Sequence, residues 1–372
     1  LTGAGGSTPS GRFWYLGSPV SGASSTALNA AGNNRLWTFS EATQLYSEIT
    51  TNGVSMSPIQ GHVVRLGASE TSVFTGGTLN TGNYTNNSLT NTGTNAATRG
   101  YHLLSNPYPS YLDWSAAYAG ATGISSTIWY RSYNTTNSAM VFDTYNATGS
   151  VAANNSGGTT TQYIPPMQAF WVRVNQGQTT GSIALDNSMR AHFTSFSGST
   201  AGLRSTNDEL KVFLRMNLLQ EDKKDQLIVY MNGAATNGFD ILDGEKMMQA
   251  GYPQFYTKAG DKKIVINGLN SAKKQQSLPI TMELPTTGVH SFVIEDLEIS
   301  NGLVWLEDKQ EEIIQALEPG TVYEFYANSG INSERFVLHF QLIDDAVPTN
   351  VYNEVNSSAN FSGKGASVYA ES

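Results

Sequence analysis

In the first half of the chain, apolar and polar residues alternate in short runs separated by polar turns. Gln168, Phe170, Val172 and Val174 fall on one face of an extended segment, and Ala169, Trp171 and Arg173 on the other. Pro165 and Pro166 mark its start, because proline is tolerated at the first strand position and not inside a ladder. Similar runs occupy residues 12–16, 35–39, 44–49, 62–66, 71–74, 101–105, 127–133, 139–145, 182–185 and 192–196. Short strands with this spacing predict an all-β, jelly-roll-like sandwich. Residues 76–100 and 144–161 are rich in Asn, Thr and Gly and read as long surface loops.

In the second half, Leu210, Val212, Leu214, Met216 and Leu218 share one face of a long strand. Further strands are expected over residues 226–231, 254–257, 262–267, 278–284, 289–295, 303–307, 321–327 and 335–342. The pattern predicts an immunoglobulin-like sandwich. One short helix is expected near residues 241–249, with Asp240 and Asp243 placed to cap its start.

The stretch from Tyr101 to Trp114 does not fit either pattern. It begins as a strand, and Asn106, Pro107 and Pro109 then break it. The chain must leave the sheet carrying Tyr108, Tyr111, Leu112 and Trp114. Each large apolar side chain gains roughly 1.5–3 kcal/mol on burial. An aromatic plug closing one end of the sandwich follows; the alternative is an exposed aromatic platform for sugar.

Charge divides the chain. Residues 1–200 hold seven arginines, no lysine and six acids, a formal +1; residues 201–372 hold fourteen bases and twenty-four acids, a formal −10. The discontinuity places one domain over residues 1–200 and a second over 201–343, with a linker in residues 195–207 and an extended tail over 344–372. An acidic second half without a basic stripe argues against nucleic acid as a partner. No apolar run is long enough to insert as a membrane helix. The chain has no cysteine, which removes disulfides, zinc thiolates and thiol nucleophiles. It begins at Leu1 and reads as a mature or excised portion of a longer product.

Four segments carry a resemblance. They are Phe13-Trp14-Tyr15-Leu16-Gly17-Ser18-Pro19; Leu104-Ser105-Asn106-Pro107-Tyr108-Pro109-Ser110 with Leu112-Asp113-Trp114; Ile164-Pro165-Pro166-Met167-Gln168-Ala169-Phe170-Trp171; and Glu334-Arg335-Phe336-Val337-Leu338-His339-Phe340. Together they resemble the β-rich region that precedes the sorting domain in proteins exported by the type IX secretion system of the Bacteroidota. The resemblance implies a non-catalytic module of secreted proteins and adhesins at the surface of a Gram-negative bacterium. It implies location and names no ligand.

The search for chemistry is sparse. No nucleophile elbow, P-loop, dinucleotide fingerprint or zincin motif occurs. The histidines His62, His102, His192, His290 and His339 are isolated in sequence, although a triad is recognised by geometry and not by spacing. Glu295, Asp296 and Glu298, Glu307 with Asp308, and Asp344 with Asp345 could serve as acid/base pairs or oxygen ligands for calcium, or as solvated strand ends. Sequons such as those at Asn83, Asn134 and Asn146 read as chance in an Asn/Thr-rich chain. The expectation is therefore no enzyme and no cofactor. It is a structural or adhesive surface protein, with a glycan-binding accessory module of a larger secreted hydrolase as the alternative. A glycan site needs exposed aromatics, for which Trp14, Trp37, Trp114 and Trp129 are the candidates. The tail either folds back on its own second domain, begins a sorting domain, or adds a strand to a neighbouring copy whose pockets Val351, Val355, Phe361 and Val368 could fill. Such a head-to-tail contact does not close and builds a filament. The expected partners are thus copies of the chain itself and surface polysaccharide.

Overall fold

A computed structural model describes residues 12–28, 34–69, 71–74, 77–192 and 212–343. The chain divides into two compact units, Leu1–Leu203 and Arg204–Ser372. The expected linker and tail, including Val351, Val355, Phe361 and Val368, lie outside the described residues.

The strands of the first unit are β1 (Phe13–Leu16), β2 (Arg35–Ser40), β3 (Leu45–Ile49), β4 (His62–Arg65), β5 (Tyr84–Thr90), β6 (Tyr101–Ser105), β7 (Tyr111–Asp113), β8 (Thr127–Asn134), β9 (Ala139–Asn146), β10 (Val151–Ala153), β11 (Tyr163–Ile164), β12 (Ala169–Arg173), β13 (Thr180–Leu185) and β14 (Arg190–Ala191). They form sheets of order β1-β4-β2-β3, β10-β9-β8-β12-β6, β11-β7-β14 and β13-β5. The chain is all-β with sandwich-like sheets, as its alternation predicts. The main core of this unit gathers Leu104, Tyr108, Leu112, Trp114, Ile128, Phe170 and Val172. A smaller core under β1, β2 and β4 is built on Leu16, Leu36 and Val64.

Three of the resembling segments meet at one junction. Leu16 bridges Gln168, and the Gly17 N–H donates to the Met167 carbonyl. A side chain at Gly17 would overlap Ser105, whose hydroxyl donates to the carbonyls of Pro58 and Gln60. The buried Asn106 amide donates to the carbonyls of Ser110, Ile164 and Pro165, and its oxygen accepts the Tyr108 N–H. These residue types thus hold three crossing backbones together, and the prolines are found where ladder donors are not needed. Asn106→Ala should cost about 2 kcal/mol, since it strands buried carbonyls. Urea unfolding of the first unit checks this; a loss below about 0.5 kcal/mol would contradict the junction's role.

The aromatic stretch is a plug. Tyr108 and Trp114 are fully buried, Tyr108 Oη donates to the Gly82 carbonyl, and Trp114 Nε1 donates to the Ser126 carbonyl. Trp114 opens α1 (Trp114–Ala119), the only α-helix among the described residues, capped by Asp113 through the Ser115 and Ala116 N–H groups.

Several local expectations are corrected. Residues 76–100 are not one long loop, because β5 pairs with β13 inside them. Likewise β10 folds back on β9 within 144–161. Their Asn- and Thr-rich composition hid strands whose alternate residues still reach the core, Leu89 among them. Residues 71–74 have no ladder partner; Phe74 instead packs against the smaller core.

The second unit contains β15 (Val212–Gln220), β16 (Lys223–Asn232), β17 (Gly244–Glu245), β18 (Gln254–Ala259), β19 (Lys262–Asn270), β20 (Gln275–Pro279), β21 (Thr281–Leu284), β22 (Gly288–Ile299), β23 (Gly302–Asp308), β24 (Ile313–Ala316), β25 (Val322–Ala327), β26 (Gly330–Asn332) and β27 (Phe336–Leu342). One sheet runs β25-β22-β15-β16-β19-β18-β21-β26, with β17 on β19; the other runs β20-β27-β23-β24. Leu214, Met216 and Phe292 of the first share a single core with Val304, Leu306, Leu338 and Phe340 of the second. The pair β16–β19 is parallel, an addition to the antiparallel immunoglobulin pattern.

The helix expected near residues 241–249 is absent. Asp240 accepts the N–H groups of Thr236 and Leu242, and Asp243 accepts those of Asp240 and Gly268. The two carboxylates cap a turn, and Gly244 then packs closely on Ile266 of β19. Local side-chain acceptors and a strand partner outcompete a helical turn. Burial pushes the Asp243 carboxyl up to about 7, even though the Asp240 and Gly268 N–H groups oppose it.

Candidate functional site

The catalytic and metal candidates resolve first. His62 is buried without a hydrogen-bond partner, and burial lowers its pKa to about 4, so it is a neutral core residue. His102 meets the Thr90 backbone, and burial lowers its pKa too. His290 stacks on Phe325 at 5.7 Å, and its pKa is likewise lowered by burial. His192 is exposed. Glu295 accepts hydrogen bonds from Asn217 and Gln226, and Asp308 binds Arg335. Among the described residues no three acidic or histidine side chains converge as a metal site would require.

One set of residues does assemble. Ser277 Oγ lies 2.8 Å from His339 Nδ1, and His339 Nε2 lies 2.9 Å from Glu307 Oε2. Trp305 stacks on the imidazole at 5.4 Å. The spacing matches a nucleophile, a base and an orienting carboxylate. All three, however, stand on neighbouring strands β20, β27 and β23 of one sheet face. Strand N–H groups lie in the plane of the sheet, whereas Ser277 Oγ stands out of it. The set is a cross-strand polar row.

The remaining concave feature belongs to the first unit. Alternation along β1 puts Phe13 and Tyr15 on the face opposite the core residue Leu16. On β2 it sets Trp37 opposite the buried Leu36 in the same way. Register aligns Tyr15 and Trp37 with Val63, and Tyr46 with Phe39. Across from this face, the β8–β9 hairpin supplies Arg131, Tyr133 and Met140, the last two directly paired. Two clefts open here, of about 330 Å³ and 480 Å³. They share Arg12, Phe13, Tyr15, Arg131, Tyr133 and Met140, so they form two lobes of one groove.

One lobe is mainly apolar, with Trp37, Tyr46 and Val63. The other adds hydroxyls: Ser132, Ser156, Thr159, Thr160, Thr161 and Tyr163. Its single carboxylate, Asp143, is taken up by the N–H groups of Asn155 and Ser156 and by the Ser156 hydroxyl. Trp14 and Trp37 are half-buried and line the groove, whereas Trp114 and Trp129 are fully buried. Tyr46 is 47% exposed. The Tyr15 hydroxyl bonds to Tyr46 and to Arg131; burial raises its pKa, against the pull of the Arg131 charge.

One polar atom of the groove wall, Arg12 Nε, is buried without a hydrogen-bond partner. Arg12 stacks its guanidinium over Trp14 at 4.0 Å and over Tyr133 at 4.8 Å. Sequence reasoning named Trp14 and Trp37 but missed the two arginines and the hairpin. Residues 12–15, 37–46 and 131–140 are brought together only by sheet packing.

The model of a protein family described as Domain of unknown function (DUF8693) matches residues 8–340. The chain belongs to this family. The match runs through both units and all four resembling segments. No curated protein and no solved structure matches the chain. Among the described residues no helix is long and apolar enough to cross a membrane.

Proposed function

We propose that this chain is a non-catalytic, extracellular module of a bacterial surface protein that adheres to polysaccharide through the groove of its first unit. The observation that carries the reading is the wall of half-exposed aromatic rings, Phe13, Tyr15, Trp37 and Tyr46, facing a rim of serine and threonine hydroxyls. Sugar rings offer apolar C–H faces to aromatics and hydroxyls to polar rims. The groove has the size and mixed lining of a small-molecule site. The sparse motifs and the resemblance to secreted adhesins support the location.

Affinity electrophoresis through gels containing a panel of soluble polysaccharides tests this. At least one polymer should retard the protein, and Trp37→Ala should weaken that retardation about tenfold, roughly 1.4 kcal/mol. No release of reducing ends should accompany binding. Mobility unchanged by every polymer, or equal retardation of Trp37→Ala, would overturn the reading.

A further inference from the structure

The groove's cationic wall points to a narrower ligand. We propose that it takes a carboxylate-bearing glycan, with a uronic-acid residue seated against Arg12. The inference rests on the polysaccharide reading above and names its class of ligand.

Arg12 carries the argument. Its guanidinium stacks against the Trp14 and Tyr133 rings, at 4.0 and 4.8 Å, which orients its in-plane N–H groups. It lines both lobes. Its Nε is buried and lacks a hydrogen-bond acceptor, and no carboxylate among the described residues pairs with it. A ligand acceptor would meet guanidinium donors that no carboxylate among the described residues occupies. By contrast Arg35, which stacks on Trp37 nearby, already has a two-point ion pair with Glu48.

A stacked, planar guanidinium is pre-organised for a planar acceptor. A carboxylate meets it with two parallel bonds, which a neutral hydroxyl cannot do. Arg131 adds a second positive charge to the wall. The one acid in the lining, Asp143, already accepts three hydrogen bonds from Asn155 and Ser156. The groove therefore presents an aromatic floor for a sugar ring and directed donors for its carboxylate.

The test is calorimetric titration of the full chain with an oligogalacturonate, its carboxyl-reduced neutral counterpart and a dextran sulfate. The oligogalacturonate should bind at least tenfold more tightly than the reduced form. Arg12→Gln should erase that difference while leaving weak binding of the neutral oligomer. Equal affinity for acidic and neutral oligomers would overturn the proposal and leave the polysaccharide reading standing. Tight dextran sulfate binding indifferent to Arg12→Gln, matched by the oligogalacturonate, would mean plain charge attraction and also overturn it. Binding to none of the three, with no polymer in the wider panel retarding the protein, would defeat both readings.

Discussion

Asp308→Ala should destabilise the second unit by about 4 kcal/mol, the usual cost of removing one partner from a buried ion pair. Asp308 is 1% exposed. Its two oxygens receive the Arg335 guanidinium at 2.9 and 2.7 Å, the Tyr323 hydroxyl at 2.9 Å and the Gln310 N–H at 3.0 Å. Truncation leaves a guanidinium beside the Phe325 and Phe336 rings, at 5.2 and 4.8 Å, with only the half-exposed Glu311 carboxylate 3.6 Å away as counter-charge. That poorly compensated charge dominates the loss. The double variant Asp308→Ala, Arg335→Leu should therefore be more stable than the single one. Urea unfolding followed through Trp305 fluorescence reads both. A single-variant loss below about 1 kcal/mol, or a double variant worse than the single, would show that the pair does not hold this end of the sandwich. Burial raises the Asp308 pKa, but the Arg335 and Tyr323 bonds outweigh it, and the carboxyl ends below its ordinary value. This contribution also fades on acidification.

Glu41→Gln should cost the first unit about 3 kcal/mol at neutral pH and remove much of its acid sensitivity. The Glu41 carboxylate accepts the N–H groups of Thr92, Gly93 and Gly100 and the hydroxyls of Thr90 and Thr92. Burial alone would raise its pKa; those five donors lower it to about 2, from an ordinary 4.5. A carboxyl whose pKa falls on folding stabilises the fold at pH values above its unfolded pKa. That stabilisation is lost as the pH falls from about 4.5 towards 2. A shift of this size corresponds to about 3 kcal/mol. Glutamine presents an N–H₂ to an environment made only of donors, so it cannot replace the carboxylate. Denaturant unfolding at pH 7 and pH 3 should show a large fall for the parent chain and a much smaller one for the variant. Parallel pH profiles would refute the assignment.

Glu41 also illustrates why this site could not be read from the sequence. Its donors lie some fifty residues downstream, in a stretch whose composition suggested a loop. The carboxylate gathers that stretch, and β5 leads into it.

The sequence alone carried the all-β class and most of the strands, because period-two alternation is set by residues two apart and needs no knowledge of the rest. The segment 168–174 shows how far this reaches. Alternation there separates two faces, and the one carrying Arg173 is buried as well: Arg173 is 7% exposed, stacked on Tyr101 at 4.6 Å and donating to the Arg99 carbonyl. Alternation says which residues share a face; only the layer packed against that face decides whether it is dry. The same division separates the tryptophans. Trp114 and Trp14 are equally apolar in sequence, but one is closed under the sheets and the other left in a groove. The groove itself needs β1, β2, β3 and the β8–β9 hairpin in register, and no local pattern contains that information.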